Sequence, residues 1–188
     1  MMQDDQALQA RLSARLLGER EARGWSLSEL AARSGVSRAM ISKVERGEAS
    51  PTAVLLGRLS GAFGLTLSAI LAGAEATGRV ARAARQPVWR DPGTGYRRRA
   101  VSPPGAEPEL VQVMLPPGAR VPFPPESYRL LRGQCVWVLE GALVFEEGEQ
   151  RHALAAGDCL ALGPPASCAF VNESDGDCVY LVALSRRA

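Results

Sequence analysis

The feature that most constrains this chain is a change of hydrophobic period partway along it. Up to about residue 73, apolar side chains recur at helical spacing, and Leu8, Leu12, Leu16 and Leu17 form one stripe. From residue 87 on, Pro and Gly recur every few residues. The apolar runs between them (ELVQVML, QCVWVLEG, ALVFEE, DCLALG, CAFVN) have β composition and partly alternate. A period near 3.6 and a period near 2 cannot be satisfied by one uniform fold. The 188 residues are enough for two small domains. The expected division is a helical domain over 8–73, a linker over 74–86 in the small, basic stretch AEATGRVARAARQP, and an antiparallel sandwich or barrel over 87–188.

Punctuation in the first part is dense. Gly24 is expected to stop the first helix, and Ser26 with Glu29 forms a capping box for a second that ends at Gly35. Ser37 caps a third helix with Met40, Ile41 and Val44 as its apolar positions, and Gly47 closes it. Ser50-Pro51 reads as the cap and first residue of a fourth, from which Leu55, Leu56, Leu59 and Phe63 face inward. Thr66 caps a short fifth through Ile70 and Leu71. Short helices with a tight glycine turn between the second and third are what a helix-turn-helix requires.

Beyond this pattern, SLSELAARSGVSRAMISKVERGEASPT closely resembles the lambda-repressor-like, or XRE-type, DNA-binding domain, with agreement over roughly residues 12–71. The resemblance implies an all-α, five-helix domain whose third helix enters the major groove of double-stranded DNA. Carried over by position, Arg38, Ala39, Met40 and Lys43 face the bases, Ile41 and Val44 face the core, and Ser37 sits at the cap of the reading helix. Ser26, Ser28 and Ser42 are the candidate phosphate contacts. In relatives a buried arginine–glutamate pair ties the first helix to the third, and the matching residues are Arg20 and Glu45. Lys43 is the only lysine among 22 basic residues; either its position selects a compact ammonium, or a single lysine drifted in.

Charge fits this partner. Residues 1–75 carry +1, residues 76–106 carry +6 and residues 107–188 carry −5, so a polyanion meets the first half and is repelled by the last. Arg97, Arg98 and Arg99 are expected on an exposed strand edge or an interdomain surface. No apolar run approaches the ~20 residues of a membrane helix. The N-terminus MMQDDQALQARL lacks a basic segment followed by an apolar one, so a cytoplasmic location is expected. Cys135, Cys159, Cys168 and Cys178 fit no C-x-x-C pattern and read as reduced thiols.

The stretch QCVWVLEGALVFEEGEQRHALAAGDCLALGPPASCAFVN resembles a cupin, an all-β double-stranded β-helix barrel. Many cupins hold a metal with two His, a Glu and a later His. Here the Glu position falls on Gln134, the first two His positions fall on Arg129 and Ser127 (or, in the other register, Leu130 and Tyr128), and the last falls on Cys168. No metal and no cofactor are therefore expected. Ser127, Arg129, Gln134 and Cys168 become the polar groups of an otherwise apolar pocket for a small polar or anionic effector. In the competing arrangement Arg129 turns outward and large side chains fill the barrel. His152, the one histidine, reads as a satisfied or solvent-facing side chain; a Cys168–His152 nucleophile pair and a redox role for Cys168 stay open. No catalytic residue is assigned. The function expected is a sequence-specific, homodimeric transcription regulator that pairs through its barrel. The alternatives are a cupin enzyme of isomerase or oxygenase type with an accessory helical domain, and an effector-free DNA-binding adaptor.

Overall fold

The computed structural model describes residues 2–71, 78–129 and 131–186; Leu130 and residues 74–77 of the expected linker lie outside them. The helices are α1 Met2–Ala22, α2 Leu27–Ser34, α3 Arg38–Glu45, α4 Ala53–Phe63 and α5 Leu67–Leu71. Leu12, Leu16, Leu30, Ile41, Val44, Leu56, Leu59, Phe63 and Ile70 are buried and form their common core.

Local chemistry sets the boundaries. Ser26 Oγ accepts from the Glu29 amide at 3.2 Å while Glu29 Oε2 accepts from the Ser26 amide at 2.7 Å, the reciprocal capping box expected there. Gly35 then takes φ 66°, a left-handed conformation open to glycine at little cost. Ser37 caps α3 through the Met40 amide, and Thr66 caps α5 through the Ala69 amide. One boundary corrects the sequence expectation. The cap of α4 is Thr52, not Ser50, so Pro51 precedes the cap instead of opening the helix. Thr52 Oγ1 accepts from Leu55, and the first helical amide, Ala53, is taken at 2.6 Å by Asp91 Oδ1, a partner 38 residues away that local sequence does not reveal.

The second half contains β1 Val88–Arg90, β2 Arg97–Ala100, β3 Glu109–Leu115, β4 Arg120–Phe123, β5 Leu131–Glu140, β6 Ala142–Glu147, β7 Gln150–Ala155, β8 Cys159–Ala161, β9 Cys168–Val171 and β10 Cys178–Arg186. They form two antiparallel sheets, ordered β1-β2-β3-β10-β5-β8 and β4-β9-β6-β7. Strand alternation places Val136 and Val138 of β5 inside and leaves Trp137 outside, 46 % exposed. Phe145, Phe170 and Tyr180 pack in series through the interior, Phe170 tilted 59° to Phe145 and parallel to Tyr180 at 5.3 Å.

The two halves share a packed seam. The face of α4 carrying Gly57 and Gly61 lies against β4 and the 3₁₀ turn Pro125–Tyr128. A methyl group on Gly61 would stand 2.8 Å from Glu126 Cβ and 3.2 Å from its carbonyl carbon; one on Gly57 would stand 3.0 Å from the Phe123 ring. Glycine is what permits this approach. Ser127 Oγ donates to the Gly57 carbonyl at 3.2 Å, and Asp91 ties α4 to the turn after β1. Arg98, the middle of the three consecutive arginines, faces inward and donates to Ser68 of α5, while Arg97 and Arg99 face out. The interdomain expectation for this triplet therefore applies to Arg98, and the exposed-edge expectation to its neighbours.

Candidate nucleic-acid interface and barrel cavity

The third helix is held rigidly from behind. Arg20 of α1 forms a two-point ion pair with Glu45 at the end of α3, Nε to Oε1 at 2.7 Å and Nη2 to Oε2 at 2.9 Å, and also donates to the Trp25 carbonyl. The Glu45 carboxylate raises the affinity of the Arg20 guanidinium for its proton, chiefly through that hydrogen bond. With Ile41 and Val44 buried, α3 turns Arg38, Ala39, Met40 and Lys43 to solvent on one face. Met40 is 39 % exposed, unusual for a large apolar side chain. Ser26, Ser28 and Ser37 are exposed and Ser42 is half-buried.

The serines differ in availability. Ser26 and Ser37 already cap helices, so their hydroxyl oxygens accept from backbone while the hydroxyl hydrogens remain to be donated. Ser42 Oγ accepts from Arg46, whose guanidinium is also forked onto Glu48 at 2.6 and 2.8 Å. Arg46 and Lys43 together hold the Glu48 carboxyl below its ordinary range, Arg46 having the larger effect. The sequence reading did not single out Arg46; its position one turn after Ser42 is the signal that was available. Arg33 lies over the Trp25 ring at 4.4 Å and is occupied there.

The barrel residues divide differently from the expectation. A cavity of about 410 Å³ opens beside the Pro164-Pro165 loop, lined by Tyr128, Arg132, Gln134, Glu147 and Cys168 among others. Gln134 and Cys168 thus share a cavity. Arg129 does not join them: its side chain is 68 % exposed and pairs with Glu126 at 3.1 Å, as a long cation next to a carboxylate one helical turn away will do when water is available to both. Ser127 faces the seam and a smaller cavity. Arg132, just after Leu131, is the cation that lines the open cavity. The other register for the metal positions pairs Leu130, outside the described residues, with Tyr128, whose ring lies between the two cavities.

Neither thiol nor imidazole here is arranged as a nucleophile pair. Cys168 Sγ donates to the Tyr128 hydroxyl at 2.9 Å. Burial chiefly, helped by the nearby Glu147 and opposed by the Tyr128 bond, pushes its thiol up to about 11. A thiol so placed stays protonated near neutrality, the reverse of an activated cysteine. His152 Nε2 faces Glu147 at 3.8 Å and makes no hydrogen bond among the described residues. Among the described residues, no three His, Cys, Asp or Glu side chains converge as a metal site would require.

Comparison with known proteins agrees with this geometry. Residues 19–70 match the family described as Helix-turn-helix, and residues 111–184 match the Cupin domain. A stretch of 60 residues, 32 % of the chain, is 42 % identical to the HTH-type transcriptional regulator SutR of Escherichia coli K12; the match spans about a third (34 %) of that protein. An HTH_3 family transcriptional regulator from Vibrio cholerae superposes with a TM-score of 0.79 at 22 % identity, covering 98 % of this chain and 99 % of that one. Hydroxypropylphosphonic acid epoxidase from S. wedmorenis aligns over 94 % of this chain and 97 % of its own at 16 % identity and a TM-score of 0.46. The chain therefore joins a helix-turn-helix domain of the XRE type to a C-terminal cupin domain.

Proposed function

We propose that this protein is a sequence-specific transcription regulator in the cytoplasm, with 8–73 as the DNA-reading unit, 74–86 as linker and 87–188 as a barrel that pairs two copies. The observation that carries the reading is the α3 face: Arg38, Ala39, Met40 and Lys43 exposed together on a helix fixed by the Arg20–Glu45 pair. Arg38 supplies a bidentate fork suited to guanine O6 and N7, and Met40 and Ala39 suit the thymine methyl. Lys43, a compact adaptable donor, completes the set. Ser26, Ser28, Ser37 and Ser42 flank this face at the height of the phosphates, where hydroxyl donors fix register without reading sequence. Pairing through the barrel doubles the small footprint of one short reading helix.

Two features weigh against a Cys–His nucleophile pair in the barrel: the Cys168 thiol, whose burial favours its protonated form, and the position of His152 against Glu147 instead of Cys168.

Selection of operator fragments from a random pool, followed by binding measurements with variants, tests the reading. Arg38→Ala is expected to relax preference at one or two base pairs, with a loss of about 1–3 kcal/mol at a good bidentate contact. Ser26→Ala is expected to weaken binding to all sequences evenly. Unchanged preference and affinity in Arg38→Ala would remove α3 as the reading helix.

A further inference from the structure

We propose that the seam between the helical domain and the barrel contains a binding site for a short-chain carboxylate, with Arg98 as its anchor. The site keeps Ser127 and Gln134 of the expected pocket but replaces Arg129 with Arg98 as its cation, and it stands whether or not the protein is a regulator; only its consequence for DNA rests on that reading.

The argument starts from charge. Arg98 is only 9 % exposed, and its guanidinium donates to Ser68 Oγ and, at 3.5 Å, to the Tyr96 hydroxyl. No carboxylate pairs with it among the described residues. A guanidinium cannot shed its proton to escape burial. Its recorded acceptors are two neutral hydroxyls, which satisfy donors without offsetting the charge, and an anion would supply the missing negative partner. The flanking strand gives it no alternative direction, because alternation along β2 turns Arg97 and Arg99 outward.

The space beside Arg98 fits that need. It lines a cavity of about 50 Å³ together with Tyr96, Tyr180, Gln134, Val113 and Phe170. Allowing roughly 10–15 Å³ for each water-sized occupant, the cavity takes about four non-hydrogen atoms, the size of a carboxylate with one or two carbons attached. A carboxylate meets the arginine fork with two parallel bonds, and the apolar part of the wall accepts an alkyl tail that a phosphate or chloride lacks. Burial pushes the Tyr180 phenol well above its ordinary value, with Tyr96 raising it and Arg98 drawing it back, so the three groups share one field and Tyr180 remains a neutral donor. The cavity shares Tyr128, Leu131 and Gln134 with the larger open one, which gives a longer tail a way out.

The site also spans both domains. Gly57, Thr66 and Leu67 of the helical half line it, and Ser68 of α5 holds Arg98 directly. An anion that draws the guanidinium toward itself competes with Ser68, and so acts on the contact that seats α5 on the barrel.

Isothermal titration of the full chain with sodium propionate, sodium phosphate and sodium chloride at matched ionic strength decides the matter. The expected result is saturable binding of one propionate per chain at millimolar or better affinity, with phosphate and chloride weaker by about tenfold or more. Arg98→Gln is expected to abolish it, and Arg129→Gln to leave it unchanged. Arg98→Lys, which keeps the charge and loses the fork, covers the case in which the neutral variant does not fold; its expected affinity is lower by about tenfold. Propionate binding that survives Arg98→Gln or Arg98→Lys undiminished overturns the proposal, as does phosphate binding in preference to propionate, or no saturable binding up to about 10 mM. The same titrations on Arg38→Ala separate the two readings: loss of DNA binding with propionate binding intact leaves the anion site in place.

Discussion

Cys168 and Cys178 illustrate how single side chains in this barrel store pH sensitivity. Burial raises both thiols from an ordinary value of 9.0 to about 11. Between those values the folded protein keeps protons that the unfolded chain has released, so stability is full below about pH 9 and falls as pH rises toward about 11. Chemical-denaturation midpoints should decline across that window, and the decline should flatten when both residues are replaced by valine. Arg20 and Glu45 give a second test at this scale. Glu45→Ala strands a largely buried guanidinium, and the expected loss is about 2–4 kcal/mol, read from urea unfolding of the full chain. Residue roles tied to a local motif were legible in the sequence: the Ser26–Glu29 box and the inward Ile41 and Val44 follow from spacing alone. Roles that depend on which way a side chain turns across a tertiary boundary were not. Arg129 and Arg98 are both arginines near the barrel mouth, yet Arg129 turns to water and Glu126 while Arg98 turns to Ser68, and only the assembled seam decides between them.

At the level of elements, the helix starts that obey sequence rules are those whose partners lie within a turn. The exception, α4, shows why. Its expected opening at Ser50-Pro51 is displaced to Thr52 because a second acceptor, Asp91, arrives from the β half and takes the Ala53 amide. Asp91 is 2 % exposed and also holds the Thr94 amide and hydroxyl at 2.7 Å, so one carboxylate fixes the first turn of α4 and the turn between β1 and β2 together. Asp91→Ala should leave one buried and two half-buried donors without that acceptor, at a cost of about 1–3 kcal/mol, and weaken the coupling of the halves. The expected signature in calorimetry is one unfolding peak becoming two. A single peak that merely shifts would show that Asp91 serves only the barrel. The strand runs were legible from composition, whereas the Gly57 and Gly61 pair was not: in an apolar helix two glycines four apart carry no local signal, and their purpose emerges only against Phe123 and Glu126.

For the whole molecule, the exposed outer face of the six-stranded sheet bears on pairing. Trp137 of β5 lies opposite Leu181 of β10 and Cys159 of β8, a set of side chains poorly suited to water. If the proposed pairing through the barrel uses this face, Trp137→Arg should shift sedimentation from dimer to monomer at micromolar concentration and reduce operator affinity far more than affinity for each half-site. The operator is expected to be pseudo-palindromic with half-sites about 34 Å apart or a multiple of that. The tight α4 contact has a consequence for engineering by domain exchange. A reading head grafted from a relative brings its own residues at the positions of Gly57 and Gly61, and any side chain there meets the Glu126 backbone or the Phe123 ring before the joint can close. Such a chimaera would fold its two parts and still miss its target, because a wedge of one or two methyl groups at the joint tilts each head and the error grows with distance from it. Compatibility between head and barrel in this protein thus turns on two missing Cβ atoms on the face of α4 that packs against the barrel.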